Sequence, residues 1–193
     1  MNIILASKSP RRREVMTWMD IPFTTEVCTE PELVPDGLSP EQTVRLLSKQ
    51  KAQFVFQRHP DAVVLGSDTV VDLNGEILGK PDSSEQAKEY LRRLSGRTHT
   101  VYTGVALLKE DYEDVRCVTT KVTFRTMTER EIDWYVSTKD PLDKAGAYGI
   151  QGLGCVFVDR IEGNYFNVIG LPAPVVYEML LNAHAITEDR TEV

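Results

Sequence analysis

The sequence predicts an α/β fold. Two observations carry that prediction: short apolar runs alternate along the chain with amphipathic segments of helical period, and those segments open on helix-capping residues. A third observation sets the size. With 193 residues, 41% hydrophobic and 26% charged, the chain can bury one core and is too apolar for a disordered or low-complexity protein. One domain is expected over residues 1–186, followed by a polar tail over 187–193.

Each element has a local reason. Ile3, Ile4 and Leu5 read as a buried strand, and Ser9 then caps a helix that Pro10 opens and that runs through Met19. A second strand is expected around Phe23 to Val27. Ser39-Pro40-Glu41-Gln42 is a capping box with proline at the first helical position, so a helix runs from there to about Gln57. Ala62 to Leu65 reads as a strand ending at Gly66-Ser67-Asp68. Asn74-Gly75, between Val70–Leu73 and Glu76–Leu78, signals a hairpin. Ser83 to Leu94 is a capped helix with Ala87, Tyr90, Leu91 and Leu94 on one face. Val101–Leu108 and Val115–Phe124 read as strands joined by the acidic turn Glu110–Asp114. Thr128 and Glu131 box the start of a helix reaching about Ser137. Asp140 to Gly154 reads as irregular, Cys155 to Ile161 as a strand and Pro174 to Asn182 as a final helix.

Charge and composition narrow the partners. The net charge of -7 opposes nucleic-acid coating, which needs a cationic surface to displace counterions. No apolar run approaches the roughly 20 residues that cross a bilayer, and the first residues show no basic leader, so no membrane partner and a cytoplasmic location are expected. Cys28, Cys117 and Cys155 are odd in number and widely spaced, which suits reduced thiols rather than disulfides or a zinc site. His59, His99 and His184 are equally scattered.

Function shows where residues break local rules. Arg11, Arg12 and Arg13 occupy the first turn of a helix, where cations oppose the helix dipole at a cost of about 0.3–1 kcal/mol each. A bound anion reverses that sign. First-turn amides, Ser7, Ser9, Lys8 and the arginines can together cradle phosphate, and a rotation of about 100° per residue directs Arg11 and Arg12 inward while Arg13 points away. The bland alternative is a solvated basic patch. Lys51 projects from a stripe formed by Val44, Leu47, Phe54 and Val55, so it needs an anion, whether ligand or internal carboxylate. Asp68 lies where open α/β sheets place ligands, though an Asx turn or a helix cap also accounts for it. Lys80, between Gly79 and Pro81, adds a cation; Glu30 and Glu32, in a proline-bounded loop, can add metal-binding oxygen. Hydroxyls, cations and carboxylates without paired cysteine or histidine suit magnesium and phosphate. GxxxxGK[ST] and GxGxxG are both absent. The residues alone therefore reach metal-dependent phosphate chemistry and stop there.

The motifs Ser7-Lys8-Ser9-Pro10-Arg11-Arg12, Gly66-Ser67-Asp68-Thr69, Gly79-Lys80-Pro81, Leu94-Ser95-Gly96, Asp140 through Gly152 and Asn167 through Pro172 closely resemble those of the Maf family of nucleoside triphosphate pyrophosphatases. The likeness runs from about residue 2 to residue 183. It implies a mixed, elongated sheet flanked by helices, with two lobes around a cleft, similar to inosine triphosphate pyrophosphatase-like folds. The implied reaction is hydrolysis between the α and β phosphates, giving a monophosphate and pyrophosphate and removing non-canonical or excess nucleotides.

By the same resemblance, Asp68 is the proton acceptor, and Lys51, Lys80 and Glu32 act beside it. Ser7, Arg11 and Arg12 bind phosphate, Asp68 and Glu32 hold a divalent cation (Mg²⁺, with Mn²⁺ or Co²⁺ as alternatives), and Arg12, Thr69 and Gln151 set base choice. Arg12, Thr69 and Gln151 together are similar to the branch acting on dTTP and UTP; a sister branch acting on 7-methyl-GTP carries Gln in place of Thr69 and Glu in place of Gln151. Ser67 departs from the alanine usual in the first branch. A homodimer is also implied. The rival class is a nucleotide-responsive binding protein regulating cell division, since the family is linked to arrest of septum formation; a phosphate-binding scaffold without base preference is the third.

Overall fold

The computed structural model describes residues 1–187, so the expected tail lies outside the described residues apart from Thr187. In chain order the elements are β1 (Ile3–Ala6), α1 (Pro10–Trp18), β2 (Thr24–Glu26), α2 (Pro40–Phe56), β3 (Val63–Leu73), β4 (Glu76–Leu78) and α3 (Ser84–Leu94). Then follow β5 (Thr98–Lys109), β6 (Tyr112–Phe124), α4 (Glu129–Ser137), three 3-10 turns between Asp140 and Phe157, β7 (Val158–Gly163), α5 (Tyr165–Ile169) and α6 (Ala173–Asn182). The strands form a mixed sheet in the order β2-β1-β3-β5-β6-β7, with β4 on β3. β1 is parallel to β2 and β3, whereas β4 on β3 and β7 on β6 are antiparallel.

The described residues form two compact units. The first takes Met1–Asp68, Thr103–Cys117 and residues 170–187. Its core sets Ile4, Ala6 and Val64 of the parallel strands and Ala106 and Leu108 of β5 against Ala52, Phe54 and Val55 of α2. Of these, Ile4, Val64, Leu108, Phe54 and Val55 each contribute about 1.5–3 kcal/mol on burial. The start of α2 is fixed as the sequence predicts, with the Ser39 side chain on the Gln42 amide and the Gln42 side chain on the Ser39 amide. Two glycines bring α2 close to the sheet. A Cβ on Gly66 would stand 2.2 Å from the Ser48 carbonyl oxygen, and one on Gly104 would stand 2.1 Å from that of Val44.

The second unit takes Thr69–Tyr102 and Val118–Ile169. Leu78, Leu91, Leu94, Val122, Phe124, Ile132, Tyr135 and Phe157 are buried together in it. Its long 140–152 segment is pinned from within. Lys144 Nζ donates to Asp143 Oδ1 at 2.7 Å, Gly149 N–H donates to the Tyr135 hydroxyl at 3.2 Å, and Tyr148 meets His99 at 2.8 Å.

Two expectations need correction. The strand expected to end at Leu65 continues through Asp68 to Leu73, because the pairing with β1 and the cover of α2 over Gly66 override the turn preference of Gly-Ser-Asp. Asp68 therefore lies mid-strand, two residues past the Ala6–Gly66 pair that closes the parallel β1–β3 ladder. The strand expected over Cys155–Ile161 begins only at Val158. The residues before it wind as a 3-10 turn that buries Phe157 against Tyr135, and pairing with β6 starts at Phe124–Val158. The five-residue helix α5 was not expected from the sequence; Asn164 Oδ1 accepts from the Asn167 amide at its start.

Candidate functional site

The first unit gathers most of the residues singled out by sequence. Gly66 and Asp68 alternate onto one face of β3, the face that α2 covers. Ser48 and Ala52 lie over Gly66, so Lys51, in the same turn of α2, is delivered to Asp68. Lys51 Nζ donates to Asp68 Oδ1 in a short ion pair and lies 2.9 Å from Glu32 Oε1. The Lys51 and Asp68 side chains are 16% and 12% exposed and Glu32 is 54% exposed, so one largely buried ammonium joins a buried carboxylate to one open to solvent. Thus the lysine that breaks the apolar stripe of α2 does have internal carboxylate partners.

The end of β1 supplies a second group. The Ser7 hydroxyl accepts from the Ser9 amide at 3.1 Å and from Arg12 Nη1 at 3.4 Å, which leaves its own O–H to donate to an anion. Ser9 caps α1, accepting from the Arg12 amide, and the first turn of that helix holds no acidic residue. Arg12 Nε donates to the Gly170 carbonyl at 2.8 Å. Burial lowers the Arg12 pKa from its ordinary value; the Asp68 carboxylate opposes that, Arg11 adds to it and Glu32 opposes it. Arg12 thus feels the charge of both carboxylates. Arg11 and Arg12 are half-buried and Arg13 is exposed, as the helical spacing predicts.

Sequence reasoning missed the part played by the Gly170 carbonyl. It accepts from Arg12 Nε and, at 2.9 Å, from the buried Ser67 hydroxyl. The signal was present in the Asn167–Pro172 run and in Ser67 itself, but a carbonyl acceptor leaves no mark on residue type.

Thr69, Lys80 and Gln151 belong to the second unit. Thr69 follows Asp68 on β3 and is half-buried. Lys80 is exposed in the irregular stretch after β4, and that stretch is tied to the long segment where Gly146 N–H donates to the Gly79 carbonyl at 3.0 Å. Gln151 is half-buried with its amide oxygen enclosed, three residues past the His99–Tyr148 contact. Burial lowers the His99 pKa to about 4 and raises that of Tyr148, so this contact is between neutral groups at pH 7.

Among the described residues no three His, Cys, Asp or Glu side chains converge as a ready-made metal cage. Two carboxylates do converge, on Lys51 Nζ. A pair of hard oxygen donors suits Mg²⁺, which takes one or two carboxylates and completes its shell with water and substrate phosphate. The residues present therefore fit a divalent ion.

A family model described as Maf-like protein matches residues 2–183. The chain belongs to that family. This Maf-like chain is 51% identical over 183 residues to a dTTP/UTP pyrophosphatase of Thermotoga maritima, covering 93% of this chain and 88% of the relative. It is 48% identical over 170 residues to a dTTP/UTP pyrophosphatase of Bacillus velezensis, covering 88% and 90%. Among solved structures, the Staphylococcus aureus Ham1 protein superposes with a TM-score of 0.51 at 15% identity, over 95% of the Maf-like chain and 100% of that chain. That likeness bears out the expected α/β fold with a mixed sheet flanked by helices. No helix among the described residues is long and apolar enough to cross a membrane.

Proposed function

We infer that this Maf-like chain hydrolyses nucleoside triphosphates between the α and β phosphates, with dTTP and UTP preferred, releasing a monophosphate and pyrophosphate. The observation that carries this reading is the meeting of Lys51 with Asp68 and Glu32, with Arg12 close enough to feel both carboxylates. Family membership and relatives of about 50% identity that bear the name dTTP/UTP pyrophosphatase support it.

In this reading the amino end of α1, Ser7, Arg11 and Arg12 grip phosphate oxygens. A water attacks the α-phosphorus and the bond to the bridging oxygen breaks. Asp68, or a second water that it orients, takes the proton from the attacking water. Lys51 and Lys80 offset the charge gathering on the departing pyrophosphate. Asp68 and Glu32 are the residues that hold Mg²⁺, or Mn²⁺ or Co²⁺ in its place, which when bound neutralises phosphate charge. Thr69, Arg12 and Gln151 read the base. One side-chain amide donates and accepts at once, which matches O4 and N3–H of thymine or uracil; cytosine presents the reverse pattern.

Pyrophosphate release from dTTP, UTP, CTP and 7-methyl-GTP, with and without Mg²⁺, tests the reading. Turnover of dTTP and UTP above the others is expected, and a preference for 7-methyl-GTP overturns the base assignment. Asp68→Asn is expected to lower kcat by about 10²–10⁴-fold, the range for loss of a general base, without unfolding the chain. Undiminished turnover in that variant removes Asp68 from its role.

A further inference from the structure

Glu32 sits in a stretch, Glu30 to Gly37, that is exposed at every residue and forms no helix or strand. A carboxylate carried on such a segment binds a cation more tightly when something other than the cation holds the backbone, because ordering a loop costs entropy that binding must otherwise supply. Its ion pair with Lys51 cannot serve that purpose during turnover, since on the reading above both groups engage substrate and metal.

Gln50 supplies such a hold. Its Nε2 donates to the Leu33 carbonyl at 2.8 Å, and its Oε1 accepts from the Leu33 amide at 3.3 Å. One side-chain amide therefore satisfies both main-chain groups of a single residue, as a neighbouring strand would. The residues run in opposite registers: Gln50 and Lys51, consecutive on α2, face Leu33 and Glu32, consecutive in the loop. Beside them lies a hollow of ≈ 180 Å³ that Gln50, Gln53 and Leu33 help to line.

We propose that Gln50 is a positioning residue that clamps the Leu33 main chain and so holds the Glu32 carboxylate over Lys51, ready for a divalent cation. This deepens the functional reading, on which the role of Glu32 rests. The clamp itself stands on geometry within one unit and is measurable without substrate.

The test uses the full chain with Gln50→Leu, which keeps the size of the side chain and removes both bonds, and Gln50→Glu, which keeps the stem and one acceptor but loses the donor to the Leu33 carbonyl. Gln53→Ala, on the same helix and hollow, is the control. Hydrogen exchange of the Leu33 amide, without metal or nucleotide, is expected to quicken about tenfold or more in Gln50→Leu, the scale set by two neutral hydrogen bonds, with less change in Gln50→Glu and none in Gln53→Ala. In the assay, the Mg²⁺ concentration at half-maximal rate is expected to rise several-fold in Gln50→Leu, more than KM for nucleotide. In a Glu32→Gln background the same substitution is expected to change nothing further. Unchanged exchange at the Leu33 amide, or an equal loss in the Glu32→Gln background, overturns the proposal. A wild-type chain that releases no pyrophosphate overturns the functional reading instead, and exchange at the Leu33 amide still decides whether the clamp exists.

Discussion

Lys51 is the side chain on which the local balance of charge depends. It is mostly buried, it joins Asp68 to Glu32, and it stands on α2 at a position flanked in sequence by the buried Leu47, Ser48, Ala52, Phe54 and Val55. Methionine preserves the stem and removes the charge, leaving the Asp68 carboxylate buried without that partner. Removing one member of a buried pair typically costs about 3–5 kcal/mol, and the pair with Glu32 adds little because Glu32 is solvated. Lys51→Met is therefore expected to lower the urea midpoint by an amount equivalent to about 3 kcal/mol and to reduce turnover at least about 10²-fold. A variant as stable as the parent would show that Lys51 does not balance Asp68. This residue was legible in the sequence because a lysine inside an apolar stripe demands an anion. Which anion was not legible, since Glu32 and Asp68 lie 19 and 17 residues away on either side and only the fold brings them together.

At the scale of elements, the approach of α2 to the sheet fixes the distance between Lys51 and Asp68. Gly66 and Gly104 allow that approach, and no side chain fits at either place without moving helix backbone. Backbone cannot turn aside as a flexible side chain does, so alanine at either position is expected to cost about 3 kcal/mol, the upper part of the usual range for overpacking, as read from Tm. Their effects on turnover should differ. Gly66 underlies Ser48 and Ala52, which flank Lys51, whereas Gly104 underlies Val44 near the start of the helix. Gly66→Ala is expected to lower kcat well beyond Gly104→Ala at temperatures where both remain folded; equal kcat values would disconnect helix height from catalysis. Elements with caps and regular periods, such as α2 and α4, were readable to within a residue or so. Those set by long-range packing were not: β3 runs on through a turn-like Gly-Ser-Asp, and a strand-like Cys155–Phe157 winds into a 3-10 turn to bury Phe157. In both cases local preference is worth less than the tertiary contact that displaces it.

For the whole molecule, the response to acid follows from which groups are held neutral and which are held charged. His99 is 2% exposed, its Nε2 meets the Tyr148 hydroxyl, its Nδ1 is buried without a hydrogen-bond partner, and Phe124 packs edge-on at 5.0 Å between ring centres. Nothing in that setting welcomes a proton, and burial lowers the pKa from 6.5 to about 4. The unfolded chain therefore takes up this proton first as the pH falls. Stability is independent of His99 above about pH 6.5, drops between there and pH 4, and by the bottom of that window has lost about 3 kcal/mol. A second loss follows at lower pH. Glu131, held at about 2 by Arg125 and by the Thr128 cap, and Glu76, lowered by Arg93, contribute stability above the unfolded carboxylate value that disappears as the pH falls through their folded values. Acid unfolding should thus show two slopes, a histidine slope from 6.5 towards 4 and a carboxylate slope below 4.5. His99→Gln, which offers the Tyr148 hydroxyl a partner that does not titrate, is expected to flatten the first slope and leave the second. Urea midpoints measured at half-unit steps from pH 7.5 to pH 3.5 read both, and a first slope that survives in His99→Gln would assign it to other groups.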